Sequence, residues 1–454
     1  RYLLTLNFRA DGSSQFGPDK RWGYFPSGAV AWIITEENFM KDYSNIVSYL
    51  KLRGSVGKTG SQNLGAYDWR TLMGSATYNG AAGIVPSSLG NDILQWEEQI
   101  QKEVGLDYGF WDDRIRGTLG YYQKKVDNLL YSDPVPTSSS FSSVYQNIGS
   151  LKNRGIEFDV RVDIIKNVQK DLTWNVDFNI ARNRTTLEKL NSSDGYFGGG
   201  AYDYFKIEEG GETGRFYGYK DAGRLFMTNE ELVGLKTIDP KTGTLKYYRD
   251  DYNYERQGDV YIMDLDGDGQ ITADGDRTVI GNANPDFFGG FGSTLYWKGL
   301  MLNAVFSYSV GGDRFWDEEK NSSGDMNVYN TSNRILDSWT VNPGVNASYP
   351  RAMYYGWGSN SIITDRYIHD ASYLRMTALN LSYRLPKHLY KNSILNAVEF
   401  TFQATNLFTW TKYPGMDPQG NFSTTYSAFY NMGIDYSTYP SARTYNFGIK
   451  LTLK

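Results

Sequence analysis

The chain has 454 residues, with 46 Lys and Arg against 51 Asp and Glu and a formal net charge of -5, so it offers no basic surface to neutralise nucleic-acid phosphates, and nucleic acid is not expected as a partner. It has no Cys and two His, which removes disulfides, thiolate metal sites and Cys nucleophiles and leaves little for zinc or a Ser-His-Asp triad. Aromatics reach 16% and Gly 48 at a mean hydropathy of -0.51. No apolar run of about eighteen residues occurs, so transmembrane helices are excluded, whereas a β-barrel hides its lipid face in alternate residues.

In chain order, Arg1 is followed at once by Tyr2-Leu3-Leu4-Thr5-Leu6-Asn7-Phe8, a strand already under way with no signal peptide before it, which leads us to expect a chain that begins internally. Residues 156 to 164 then alternate Ile156, Phe158, Val160, Val162 and Ile164 with Glu157, Asp159, Arg161 and Asp163. Residues 172 to 180 alternate Leu172, Trp174, Val176, Phe178 and Ile180 with Thr173, Asn175, Asp177 and Asn179. One apolar and one charged face at period two is the pattern of a strand between two different solvents. The pattern recurs at 300–306 and 398–404 and persists through Tyr445, Phe447, Ile449, Leu451 and Leu453. It predicts about twelve strands of about ten residues, near 1–9, 22–33, 46–57, 95–110, 114–126, 147–164, 171–182, 287–297, 300–310, 373–385, 396–408 and 443–453.

The intervals between these strands alternate in length. Trp111-Asp112-Asp113 and Trp297-Lys298-Gly299 are short turns, while 58–94, 183–286, 311–372 and 409–442 are long loops. Short turns at one end and long loops at the other characterise outer-membrane barrels. A soluble sandwich or propeller would explain the alternation, but not a long loop at every second connection.

Few motifs carry chemistry. Gly57-Lys58-Thr59 imitates the end of a phosphate-binding loop, but Leu52 stands where its first glycine belongs, and turn formers follow instead of a helix. His369 and His388 read as surface residues. The one sharp signal is Asp264-Leu265-Asp266-Gly267-Asp268-Gly269-Gln270. Carboxylates at alternate positions around glycine turns suit the many hard oxygens that calcium takes, with the Gln270 carbonyl as a further ligand and Asp276, or else Asp274, closing the shell. Gly275 stands where the helical calcium loop has Glu, so the metal is expected to stiffen a long loop rather than catalyse. The loops are rich in aromatics, and Trp69, Trp316, Tyr355, Trp357 and Trp410 are the candidate contacts for a sugar or peptide, against the plainer expectation that such rings pack the loops together.

The sequence resembles the SusC/RagA family of TonB-dependent outer-membrane transporters of Bacteroidetes. The resemblance is carried by FRADGSSQFGPDKRWGYFPS from Phe8, LKLRGSVGKTGSQ from Leu50, GLDYGFWDDRIRGTLGYYQKKVDNLL from Gly105 and NIGSLKNRGIEFDV from Asn147. Further on it is carried by DLDGDGQ, DRTVIGNANPDFFGGF and YSVGG between Gly258 and Gly312, and by YLRMTALNLSYRLP from Tyr373. It implies an all-β protein: a 22-stranded transmembrane barrel with an internal plug, of which residues 1–454 are the C-terminal portion, without signal peptide, N-terminal extension or plug. The ending Leu453-Lys454 departs from the aromatic residue usual in the family. The resemblance further implies a place in outer-membrane lipid, a SusD-like surface lipoprotein as lid, TonB acting through the missing N-terminal part, and uptake of glycans, oligosaccharides or peptides without bond chemistry. The competing expectation is a self-contained barrel of about twelve strands acting as a passive pore or barrel enzyme.

Overall fold

In the computed structural model, a 12-stranded antiparallel sheet runs in strictly sequential order. Its strands are β1 Tyr2–Gly12, β2 Trp22–Ile33, β3 Val47–Ser61, β4 Glu97–Phe110, β5 Ile115–Asp127 and β6 Ser150–Asn167. They continue as β7 Leu172–Lys189, β8 Phe287–Trp297, β9 Leu300–Val310, β10 Tyr373–Arg384, β11 Leu395–Thr411 and β12 Thr444–Leu453. The structure describes every residue except 191–195, 199–203, 229–230, 232–236, 239–244, 247–255, 325–330, 345–346, 353–359, 361, 392, 421–431, 437 and 454.

All twelve expected strands are present, but several are longer than their alternation. β3 continues to Ser61 rather than 57, β7 to Lys189 rather than 182, and β11 to Thr411 rather than 408, so the long loops begin later than expected. The extra residues of β7 include Asn183 and Arg184, which pair with Gly155 and Arg154 of β6. Backbone pairing therefore outlasts the apolar face, because a ladder beyond the bilayer needs no lipid-facing side chains. Gly57-Lys58-Thr59 lies within β3 and makes no phosphate loop.

Register shows that alternation is coherent across the sheet. One face carries the row Leu4, Val30, Gly54, Val104, Tyr121 and Ile156, each paired with the next. The same face carries Phe178, Phe291 and Phe306, then Leu302, Leu381, Phe402 and Phe447. Its apolar side chains are bare: Leu6 is 73% and Phe447 82% exposed, an apolar area that in water would be a large liability and in lipid is the ordinary outer face of a barrel. The opposite face is polar. Arg161 pairs with Asp177 and Asp163 with Asn175, while Asn303, Asn380, Gln403 and Asn446 form a polar row.

Turn chemistry fixes the short end. Lys298 and Gly299 join β8 to β9 with φ of 47° and 85°, the left-handed pair of a type I′ hairpin turn. On the outward face two tyrosines lie over glycines of the adjoining strand. Tyr108 stands opposite Gly117 and donates to the Asp159 carbonyl at 2.9 Å; Tyr308 stands opposite Gly289 and donates to the Asn179 carbonyl at 2.8 Å. The buried apolar clusters, by contrast, draw almost wholly on the long connections, so the loops fold upon themselves at one end of the sheet. One connection missing from the expected long loops, 128–149, carries its own hairpin, Leu130–Pro134 with Ser143–Asn147.

Candidate functional site

The inward face is lined with paired charges. Lys51 Nζ reaches Asp107 at 3.1 Å and Arg53 Nε reaches the same carboxylate at 3.2 Å, while another Arg53 nitrogen bonds Glu103. Arg116 donates to Asp163 at 3.3 Å, and the Thr118 hydroxyl to Asp159 at 2.8 Å. A groove is lined by Arg53, Gln101, Glu103, Thr118, Tyr122 and Glu157. These groups come from adjacent strands, so the wall is a fixed lattice of both charge signs, suited to hydrogen-bonding a polar solute without trapping one sign of ion. Glu157, Arg161, Asn175 and Asp177, the polar positions of the alternation, all lie on this face.

Above the sheet, a small loop sheet joins segments far apart in sequence. Asp313–Trp316 pairs antiparallel with Ile368–Asp370 and parallel with Ile434–Asp435. Alternation gives it two faces. Phe315, Ile368 and Ile434 pack into a cluster with Tyr204, Phe205, Phe216 and Tyr367; Arg314, Trp316, His369 and Asp435 form the other face. On that second face the Trp316 ring lies 5.9 Å from His369 and 6.1 Å from Tyr413, with the Arg334 guanidinium 4.4 Å above it. His369 Nε2 meets Glu319 at 2.6 Å. Tyr413 donates to Asp435 at 2.7 Å, and burial followed by this carboxylate pushes its phenol well above the usual range. His369 is thus half-buried in a polar cluster rather than a plain surface residue, whereas His388 is exposed as expected.

A third feature is the acidic turn. Asp264 accepts from the Gly267 and Gly269 amides at 2.7 and 2.8 Å, Asp266 from Asp268 at 3.1 Å, and Asp268 from Gln270 at 2.8 Å. One carboxylate oxygen from each of Asp264, Asp266 and Asp268 falls within 4.8 Å of the others, a spacing at which three hard oxygens can share one cation. The Asp268 amide draws the Asp266 carboxyl down, but desolvation and the charges of Asp268 and Asp276 outweigh it and hold the group above its ordinary value. Asp276 lies outside this trio. It is fully buried, and its oxygens accept from Leu265 and Thr272 at 2.7 Å each, so it ties the two ends of the turn together. Gln270 takes part through its amide.

The aromatic candidates separate. Trp316 sits in the loop-sheet cluster. Trp69 packs against the buried group of Phe16, Phe25, Leu64, Leu94 and Trp96, under the Arg70 guanidinium at 4.3 Å. Trp410 is corrected: β11 reaches Thr411, and Trp410 pairs with Leu374 and stacks by Phe408 on the outward face. It is 53% exposed there, as an aromatic of the interfacial girdle is. Tyr355 and Trp357 lie outside the described residues.

Residues 1–351 match the family model described as "TonB dependent receptor-like, beta-barrel". The chain belongs to this family. It is a β-barrel protein of the outer membrane, and its relatives agree. It is 33% identical to TonB-dependent receptor P3 of Formosa agariphila over 99% of this chain and 44% of that protein, and 32% identical to TonB-dependent receptor SusC of Bacteroides thetaiotaomicron over 99% and 42%. The structure of the RagAB peptide transporter superposes with a TM-score of 0.76 at 27% identity, covering 99% of this chain and 46% of that one. The chain therefore spans less than half the length of these relatives. Sequence reasoning passed over Arg314, Glu319 and Asp435; the one signal, for Arg314, is the alternation within Asp313-Arg314-Phe315-Trp316.

Proposed function

We propose that these residues form the C-terminal portion of a plugged, 22-stranded nutrient importer, which passes intact glycans, oligosaccharides or peptides inward under TonB coupling, with a SusD-like lipoprotein as lid. The observation that carries this is the sheet itself: a bare apolar outer face, a charge-paired inner face and two edges, β1 and β12, each with one neighbour. An open edge in a membrane leaves backbone donors and acceptors without partners, so further strands of the same protein are its natural complement. Kinship to SusC and to a structure named as a peptide transporter supports the import reading and leaves two substrate classes within it. The lumen wall would hydrogen-bond the passing solute, and the folded loops would meet lid and ligand.

The test is the intact mass of the native polypeptide, purified in detergent from outer membranes, with the masses of what copurifies. A mass of about twice 51.5 kDa with an attached lipoprotein is expected. A lone chain at 51.5 kDa would mean a small complete barrel and end the energy-coupled mechanism.

Calcium is the second element of this proposal. Asp264, Asp266 and Asp268 would hold it, and the ion would stiffen the connection between β7 and β8 by offsetting the crowding of three negative charges. Protease cleavage within 260–280 should slow with calcium and quicken with a chelator. Identical cleavage rates under both conditions would rule the ion out.

A further inference from the structure

The polar face of the loop sheet holds more donors than acceptors. Its carboxylates are committed: Asp435 to Tyr413 and to the Thr438 amide at 3.2 Å, Glu319 to His369, Arg334 at 2.9 Å and Tyr349 at 3.2 Å, and Asp317 to Tyr204 at 2.7 Å, Asn321 at 2.5 Å and Lys320 at 3.3 Å. Two donors are not. Arg314 Nε is buried and has no hydrogen-bond partner among the described residues, and its Nη1 has one long bond, 3.5 Å, to the carbonyl of its neighbour Asp313. The Nε1 of Trp316, a side chain 8% exposed, is likewise buried with no partner among the described residues. These residues share one face of one strand, about 7 Å apart along it. Gly433 holds φ at 78° and makes room: a Cβ there would stand 3.1 Å from Arg314 Nη1.

Guanidinium and indole N–H only donate. Burial draws the Arg314 pKa below its ordinary value although the charges of Asp435 and Asp313 oppose it, and a half-buried cation with no direct ion pair among the described residues costs stability. The chemical complement of two unfilled donors, one of them a planar cationic fork, is an acceptor-only anion with two oxygens. We propose that this face recognises a carboxylate on the imported oligomer, with Arg314 as the charged donor and the Trp316 indole as the second. This rests on the import reading above and adds to it the group that is recognised. Two sources carry that group, a uronic acid residue and the C-terminus of a peptide.

The experiment uses the full-length transporter with its lipoprotein in detergent. Four probes are titrated calorimetrically: tetragalacturonate, its methyl ester, pentaalanine and pentaalanine amide. One acid should bind about 10- to 100-fold more tightly than its blocked form, the range for a hydrogen bond to a charged group, and which acid does so identifies the source. Arg314→Gln should abolish the preference, Arg314→Lys should keep part of it, and Trp316→Phe should reduce it. Arg314→Met should leave the thermal midpoint of the ligand-free protein unchanged or raised, because it removes a half-buried cation with no direct ion pair among the described residues. Equal binding of free and blocked forms, preference surviving in Arg314→Gln, binding of neither acid, or a lower midpoint in Arg314→Met would each overturn the proposal. The import reading is scored separately, by growth of a strain lacking the gene on the nutrient concerned.

Discussion

Removing the Arg375 guanidinium should detach the connection between β11 and β12 from the barrel rim. Arg375 is 4% exposed on β10 and spends every nitrogen: Nη2 on Asp417 at 2.5 Å, Nη1 on Gln419 at 2.6 Å and Nε on Thr409 at 2.9 Å. Asp417, also buried, accepts in addition from the Gln419 and Ser441 amides at 2.9 and 3.2 Å, so one carboxylate ties both ends of the loop to one strand. Arg375→Ala leaves that carboxylate buried and uncompensated, at about 3–5 kcal/mol. The loop escapes the penalty by opening, so in the exchange-limited regime the Gln419 and Ser441 amides should exchange deuterium about a hundred to a few thousand times faster. Hydrogen exchange with mass spectrometry on the detergent-solubilised protein measures this. Rates within threefold of wild type would refute the reasoning. The double variant Arg375→Met, Asp417→Leu should recover most of the protection, since an apolar pair leaves no charge behind. The same pair sets a pH dependence. Burial works to raise the Asp417 carboxyl, but Arg375 and the two amides together hold it below its ordinary value. Its contribution is therefore complete above the unfolded-state value of about 3.9 and lost as pH falls through the lower folded one, so wild-type loop protection should fail only under strong acid.

Gly117→Ala and Gly289→Ala should each lower the yield of folded barrel, read as heat-modifiable mobility on gels, because an added Cβ would lie 2.0 Å from the Asp159 carbonyl oxygen in one case and 2.1 Å from that of Asn179 in the other; the neighbouring Gly120, where nothing lies within 4 Å, is the control and should tolerate Ala. Gly299→Ala should destabilise the β8–β9 hairpin by about 1 kcal/mol or more, since φ is 85° and the new methyl would meet the Arg384 carbonyl oxygen at 2.7 Å; an unchanged unfolding midpoint in urea would contradict this. Tyr413→Phe should cost about 1–3 kcal/mol of local stability by leaving buried Asp435 short of a donor, seen as faster exchange at the Thr438 amide.

The wall of the barrel was open to sequence reasoning because its two solvents differ and its period is two: any residue's side follows from its neighbours. β10 shows where that logic breaks. Leu379 and Leu381 face outward, and strict alternation would put Arg375 in lipid beside them. The structure inserts an irregularity between Met376 and Ala378, which reverses the phase and turns Arg375 inward to Asp417. A buried cation in an otherwise consistent strand is thus the trace that a bulge leaves in sequence. Trp410 failed for a simpler reason. It continues the even-numbered outward row of Phe402, Ala404 and Phe408, but placing the end of β11 too early assigned it to a loop.

The loop site is less legible because its geometry arises from pairing across long separations. Arg314 lies opposite His369 and Trp316 opposite Asp435, and strands of two to four residues are too short to declare a period. What the sequence does hold there is composition: an arginine and a tryptophan two residues apart. Matched charges on the lumen wall are expected of a passage, where any strongly held solute would stall. Arg314, with no direct ion pair among the described residues, would under our proposal keep its interaction free energy for something that arrives. On the proposed reading, that asymmetry between a balanced wall and an unbalanced loop face would be the physical distinction between conducting a molecule and choosing one.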